Sequence, residues 1–163
     1  MINSSAFRKN QRYMRQALAL ARQAYDEGEV PIGAVVVKND RIIGRGYNQT
    51  EMLNDATAHA EMIALSAASS TLQNKYLQNC TLYVTLEPCP MCAGAMVWSK
   101  IERVVFGAID AQSGGCGSIF NLAANKKLNH QIEIIQGVLE QDCRQLLDRF
   151  FAEKRSSSNG NIQ

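Results

Sequence analysis

Thr81-Leu82-Tyr83-Val84-Thr85-Leu86-Glu87-Pro88-Cys89-Pro90-Met91-Cys92 is an apolar run that ends on two prolines and two cysteines. Thr81 to Thr85 is rich in residues that suit a short buried strand. Pro88 and Pro90 then mark a helix entry, because proline fits the first helical turn, where its missing N–H would have no partner anyway. The helix runs from about Cys89 to Ser99, and Arg103 to Gly107 returns as another strand. Cys89 and Cys92 stand three apart, so both sulfurs leave the first turn toward one point in space. One metal ion can bridge them there.

Working outward, His59-Ala60-Glu61 lies upstream, with Glu61 28 positions before Cys89. Asp55 or Thr57 can cap a helix that includes Met62, Ile63, Leu65 and Ala67 and runs to about Ser69. His59 thus also comes from a helix start. Zinc accepts imidazole nitrogen and thiolate sulfur, and three protein ligands leave a fourth tetrahedral position for water. Helix starts facing one ion also bring backbone N–H groups and positive dipole ends toward the sulfurs, which favours their charged form. Glu61 leaves the helix at an angle to His59, beside the metal without binding it, where a carboxylate can take and pass on protons. The expected chemistry is hydrolytic deamination. A Cys-x-x-Cys pair by itself fits a redox dithiol or half of a structural zinc site equally well, and the two motifs together carry the argument. A closed Cys2His2 site would need His130, which lies far along the chain before a strand.

The remaining segments complete the pattern. Residues 1 to 25 form an amphipathic helix with Met14, Ala17, Leu18, Ala21, Ala24 and Tyr25 on one face and arginines opposite, ended by Gly28. The arginine-rich start therefore reads as a helix face rather than a transit peptide. Ile32 to Lys38 and Arg41 to Tyr47 make a hairpin around Asn39-Asp40. Asn48 to Ala58 is a polar loop, and Asp110 to Ser118 a glycine-rich one. Ile119 to Ala124 is expected as a short helix, Gln131 to Gln136 as the fifth strand, and Leu139 to Lys154 as a last amphipathic helix with Leu146, Leu147, Phe150 and Phe151 as its apolar positions. The chain is expected to be one domain over residues 1 to 155, with a disordered polar tail from 156 to 163. Strands alternating with helices after a hairpin imply a three-layer α/β/α domain around a five-stranded mixed sheet. Ligands bind such folds outside the carboxyl ends of strands, where both motifs begin.

Bulk properties bound the rest. At 163 residues, 46% hydrophobic, the chain suffices for one core. Its net charge of +2 neither requires nor opposes a nucleic-acid partner. No stretch reaches the roughly 18 apolar residues of a membrane span, and the N-terminus carries no apolar signal core. Two of five cysteines are assigned to metal, leaving Cys80, Cys116 and Cys143 as free thiols and pointing to a reducing, cytoplasmic setting.

The stretches Thr57-Ala58-His59-Ala60-Glu61, Thr85 to Ala95, and Val105-Phe106-Gly107-Ala108, with Glu29-Val30-Pro31-Ile32-Gly33-Ala34, resemble the TadA-type tRNA-specific adenosine deaminases, within the wider cytidine-deaminase-like fold. The resemblance spans about Tyr13 to Lys154. It implies hydrolysis of the wobble adenosine of a tRNA anticodon to inosine, with one zinc ion per chain held by His59, Cys89 and Cys92. The base is flipped out of the loop, attack falls on C6, and Glu61 protonates N1 and later the departing amine. The resemblance also assigns substrate contacts to Asn48, Ile32 and Asp110, each with a plainer alternative. Asn48 holds the base or forms a turn, Ile32 packs on the base face or sits in the strand core, and Asp110 meets the ribose 2′-hydroxyl or caps its loop. One of Phe150 and Phe151 is a candidate RNA contact and the other core. Lys154, Arg155 and the arginines of the first helix either meet phosphate or are solvated. Ile109, where several relatives carry a charge, and the tail beyond Arg155 depart from the family in ways that bear on RNA affinity. The family further implies a homodimer with RNA across the subunit boundary, for which Ala93, Gly94, Ala95, Met96 and Trp98 are either surface or core.

Two other functions remain open on sequence alone. Pro90 and Trp98 also resemble guanine deaminases, so a same-fold enzyme acting on free guanine, cytosine or a nucleoside is the near alternative. A zinc-containing RNA-binding module without catalysis is the more distant one.

Overall fold

In the computed structural model, residues 4–159 are described. The first helix, α1, spans Ser4–Asp26, followed by β1 Gly33–Lys38 and β2 Arg41–Tyr47. Next come α2 Ala60–Leu72, β3 Thr81–Leu86, α3 Pro90–Trp98 and β4 Arg103–Ala108. The short β5 Glu133–Gln136 and α4 Glu140–Asn159 complete the chain. The five-stranded sheet runs β2-β1-β3-β4-β5, with β1 antiparallel to β2 and β3, and β3, β4 and β5 parallel. The mixed sheet expected from the alternation of elements is present.

Side chains alternate across each strand, and the alternation sorts the core into two. Ala34, Val36, Leu82, Val84, Val104 and Phe106 pack against Ala60, Ala64 and Ala68 of α2 and Ala93 and Met96 of α3. Val35, Val37, Tyr83 and Val105 pack against Tyr13, Met14, Ala17 and Leu18 of α1 and Cys143 of α4. Helices therefore cover both faces, as a three-layer α/β/α domain requires. Asn39 and Asp40 both have positive φ, 49° and 60°, the pattern of a two-residue turn whose twist matches the strands it joins. Among the described residues, no helix is long and apolar enough to cross a membrane.

Three expectations are corrected. Ile119 to Ala124 is not a helix: the Ile119 and Phe120 amides both donate to the Gly114 carbonyl, at 3.1 and 3.0 Å, and Cys116 bridges Asn121. The Leu122 amide also donates to the Gly115 carbonyl at 2.9 Å and the Ala124 amide to Asn121 Oδ1 at 3.1 Å, so the segment folds back on the glycine-rich loop and turns instead of winding into a helical ladder. Neither Asp55 nor Thr57 caps α2; His59 itself occupies the N-cap in extended geometry, while Asp55 Oδ1 accepts from the Thr57 amide at 2.8 Å. The tail expected to be disordered is helical through Asn159, with the Ser156, Ser157 and Ser158 hydroxyls donating to carbonyls four residues back. These bonds pair the serine hydroxyls along a segment that is exposed throughout and packs on no core. Residues 160 to 163 lie outside the described residues.

Candidate metal centre

The functional residues gather at one end of the sheet because of strand direction. Cys89 follows the carboxyl end of β3, and Asp110 follows that of β4. Antiparallel pairing places the start of β1 and the end of β2 at the same level, Gly33 opposite Tyr47 and Ala34 opposite Val84. Ile32 and Asn48 thus arrive at that end too, joined by an Asn48 amide to Ile32 carbonyl bond of 3.0 Å.

His59 and Cys89 are the N-cap residues of α2 and α3, and Pro90 opens α3, as its sequence position implies. His59 Nδ1 stands 3.6 Å from Cys89 Sγ and 3.5 Å from Cys92 Sγ. A tetrahedral zinc with ligands at about 2.3 Å (sulfur) and about 2.05 Å (nitrogen) would set such atoms about 3.6 Å apart. Among the described residues, these are the side chains grouped as three or more potential ligands, all within 4.8 Å of one another. His130 stands apart, its Nε2 paired with the Ile101 carbonyl at 2.5 Å, so no Cys2His2 set forms.

Charge balance makes the same point. The Cys89 thiol is pulled down to about 4, chiefly by its hydrogen bond with Cys92 and further by His59. Cys92 is pushed up by that same bond and by burial. His59 is raised, first by its hydrogen bond to Cys89. Without a cation only one sulfur holds its negative charge; a dication between them removes that penalty and lets both ligate as thiolates. The donor set fits zinc.

Glu61 is 4% exposed, and burial pushes its carboxyl up to about 7. Its Oε1 has no hydrogen-bond partner. An orphaned buried carboxylate oxygen is costly and calls for a partner that the chain does not supply.

The predicted substrate residues divide. Asn48 is buried and Ile32 is half-buried against the α2 and α3 side of the core. Asp110 Oδ1 accepts from the Gln112 and Ser113 amides, both at 3.0 Å, so one of its oxygens caps the loop as its plainer alternative supposes. Phe150 is core, edge-on to Tyr25 at 5.9 Å, whereas Phe151 is exposed. On α3, Ala93 and Met96 are buried, but Trp98 is 84% exposed. It borders a cavity of about 460 Å³ with Tyr76, Val97, Leu122, Leu128 and His130, and none of His59, Glu61, Cys89 or Cys92 lines that cavity. This apolar hollow and the metal centre are separate features.

Two buried carboxylates went unnoticed in the sequence. Glu29 accepts from the Glu51 and Met52 amides at 3.1 and 2.7 Å, pinning the loop that leads to His59. Glu87 accepts from the loop after β4. Their signal was an acid beside an apolar residue and a proline, Val30-Pro31 after Glu29 and Leu86 and Pro88 around Glu87, a place where an acid must find donors.

Residues 7–108 match the cytidine and deoxycytidylate deaminase zinc-binding region. The chain is 49% identical over 143 residues to a tRNA-specific adenosine deaminase of Bacillus subtilis (strain 168), covering 88% of this chain and 89% of that protein. It is equally similar, 49% over 147 residues, to one of Haemophilus influenzae, covering 90% and 85%. A solved structure from studies of A-to-I editing by tRNA:A34 deaminases superposes with a TM-score of 0.81 at 39% identity, covering 83% of this chain and 99% of that one. A guanine deaminase from Nitrosomonas europaea gives a TM-score of 0.76 at 26% identity, covering 87% and 84%. With its sequence, sheet and ligand set all agreeing, the chain belongs to the zinc-binding cytidine and deoxycytidylate deaminase family, and within it to the tRNA-specific adenosine deaminases.

Proposed function

We propose that this protein hydrolyses the wobble adenosine of a tRNA anticodon stem-loop to inosine, releasing ammonia. The observation that carries the reading is Glu61 Oε1, buried without a partner beside one imidazole and two sulfurs. His59, Cys89 and Cys92 would hold one zinc ion, which as a Lewis acid lowers the pKa of a bound water to about 7. Glu61 takes up a proton, delivers it to N1 of the base as C6 is attacked, and later transfers one to the leaving amine. Burial pushes this carboxyl up in the metal-free chain, and a dication beside it would draw it back toward the carboxylate that accepts the water proton. Asn48 and Ile32 hold and pack the flipped base, and Asp110 faces the ribose. Phe151, exposed on α4, is the aromatic of its pair free to meet RNA.

Identity of 49% over 88% of the chain to a tRNA-acting relative, against 39% over 60% for a Bacillus subtilis guanine deaminase, supports RNA over a free base as substrate. The exposed Trp98 and the hollow beside it supply an apolar face for a homodimer, with RNA across the boundary. Five free cysteines, Cys89 and Cys92 among them, suit a reducing cytoplasm. Incubating zinc-loaded protein with an anticodon stem-loop and, separately, with guanine, cytosine and adenosine tests the substrate. Inosine in the stem-loop is expected; ammonia from a free base alone would favour the guanine-deaminase alternative, which shares the fold.

A further inference from the structure

Glu87 stands between the end of β3 and Pro88-Cys89, 2% exposed. Its Oε1 accepts from the Asp110 amide at 3.1 Å and from the Ser118 hydroxyl. Its Oε2 accepts from the Cys116 and Ser118 amides, each at 3.1 Å. Four donors from one loop therefore converge on a single carboxylate, and among the described residues no cation forms an ion pair with it. The loop is also pressed close. The Gly115 amide donates to the Pro88 carbonyl at 2.7 Å, and a Cβ on Gly115 would stand 2.8 Å from the Cys89 carbonyl carbon. A Cβ on Gly114 would overlap Glu87 Oε2 itself. The glycines are required here for close approach, since neither has a positive φ.

We infer that Glu87 is a positioning residue for the substrate pocket. It fastens residues 110 to 118 onto the turn that carries Cys89, and so fixes where Asp110 stands relative to the metal ligands. Glutamate is needed, rather than its amide, because each oxygen faces backbone N–H donors. A glutamine would turn its own N–H2 toward either the Asp110 amide or the Cys116 and Ser118 amides, leaving buried donors unpaired. The consequence for catalysis rests on the function proposed above, whereas the fastening itself does not.

The test uses the zinc-loaded full chain with Glu87→Gln and Gly114→Ala, the second pushing the same carboxylate aside from the loop. Backbone amide exchange is followed by NMR, zinc per chain is measured, and KM and kcat are taken on an anticodon stem-loop. Both variants are expected to keep one zinc per chain and the protection of β1 and β3. The Asp110, Cys116 and Ser118 amides should exchange at least roughly tenfold faster, as released local bonds allow. KM should rise roughly tenfold or more, with kcat within about threefold of wild type, since the proton-transfer group is untouched. Unchanged exchange at those amides overturns the inference, as does an even loss of protection through β1 and β3, or a fall in kcat at constant KM. Should Glu87→Gln fail to fold, Gly114→Ala carries the same expectations. If wild type makes no inosine, the exchange data still decide whether Glu87 fastens the loop, and only the function is lost.

Discussion

Gly46 lies flat against the first residue of α2: a Cβ built on it would overlap the carbonyl oxygen of Ala60 and stand 2.7 Å from the Ala64 nitrogen. Ala60 is the residue between His59 and Glu61, so the seat of α2 on β2 sets both functional side chains at once. Gly46→Ala must push α2 away. Overpacking of this kind costs about 1–3 kcal/mol, and here it also displaces a ligand. Thermal unfolding should shift down and bound zinc should fall below one per chain; unchanged zinc content and midpoint would show that α2 tolerates the displacement.

Glu61→Gln preserves shape and removes the proton carrier. General acid–base groups contribute roughly 100- to 10,000-fold, and kcat should drop within or beyond that range at full zinc occupancy. Stability should hold or rise, because a buried carboxylate oxygen without a partner is replaced by a neutral amide. Retained turnover measured by ammonia release would remove Glu61 from the reaction.

Chelation of the metal should lower the unfolding midpoint and leave Cys89, pulled down to about 4 and only half-buried, as the first thiol to react with a disulfide reagent. Zinc added before the reagent should protect it. Equal labelling with and without zinc would argue against thiolate ligation.

At high pH, Cys143 and Tyr83 bring a different loss. Burial pushes both up to about 12. The unfolded chain releases these protons near pH 8.5 to 10, roughly the ordinary range, while the folded chain resists. Their contribution is therefore complete below about pH 8.5 and fades as pH climbs toward 12. The denaturation midpoint should decline across that window, and less steeply in Cys143→Ala. A flat midpoint from pH 8 to 11.5 would contradict the burial of both groups.

Much of this architecture was legible in the chain because strands and ligands obey short-range rules. The continuous apolar run Ala34 to Val37 marks a strand that the structure buries on both faces, and the three-residue step from Cys89 to Cys92 gives the shared focus. What escaped depends on contacts distant in sequence. Ile119 to Ala124 has helix-like composition, yet its amides are claimed by Gly114 and Gly115. Glu29 and Glu87 look like ordinary surface acids until the loops that donate to them, 22 and 23 or more residues away, are in place. Asp110 could not be read as a loop cap or a ribose contact from its neighbours alone; its Oδ1 caps the loop, and the ribose contact belongs to the function proposed above.

The most direct test of the whole account is inosine sequencing of an anticodon stem-loop after incubation with zinc-loaded wild type and with Glu61→Gln at equal zinc content. Inosine at the wobble position with wild type, and none with the variant, is the expected result. A stem-loop left as adenosine by fully zinc-loaded wild type, or edited equally by Glu61→Gln, would contradict it.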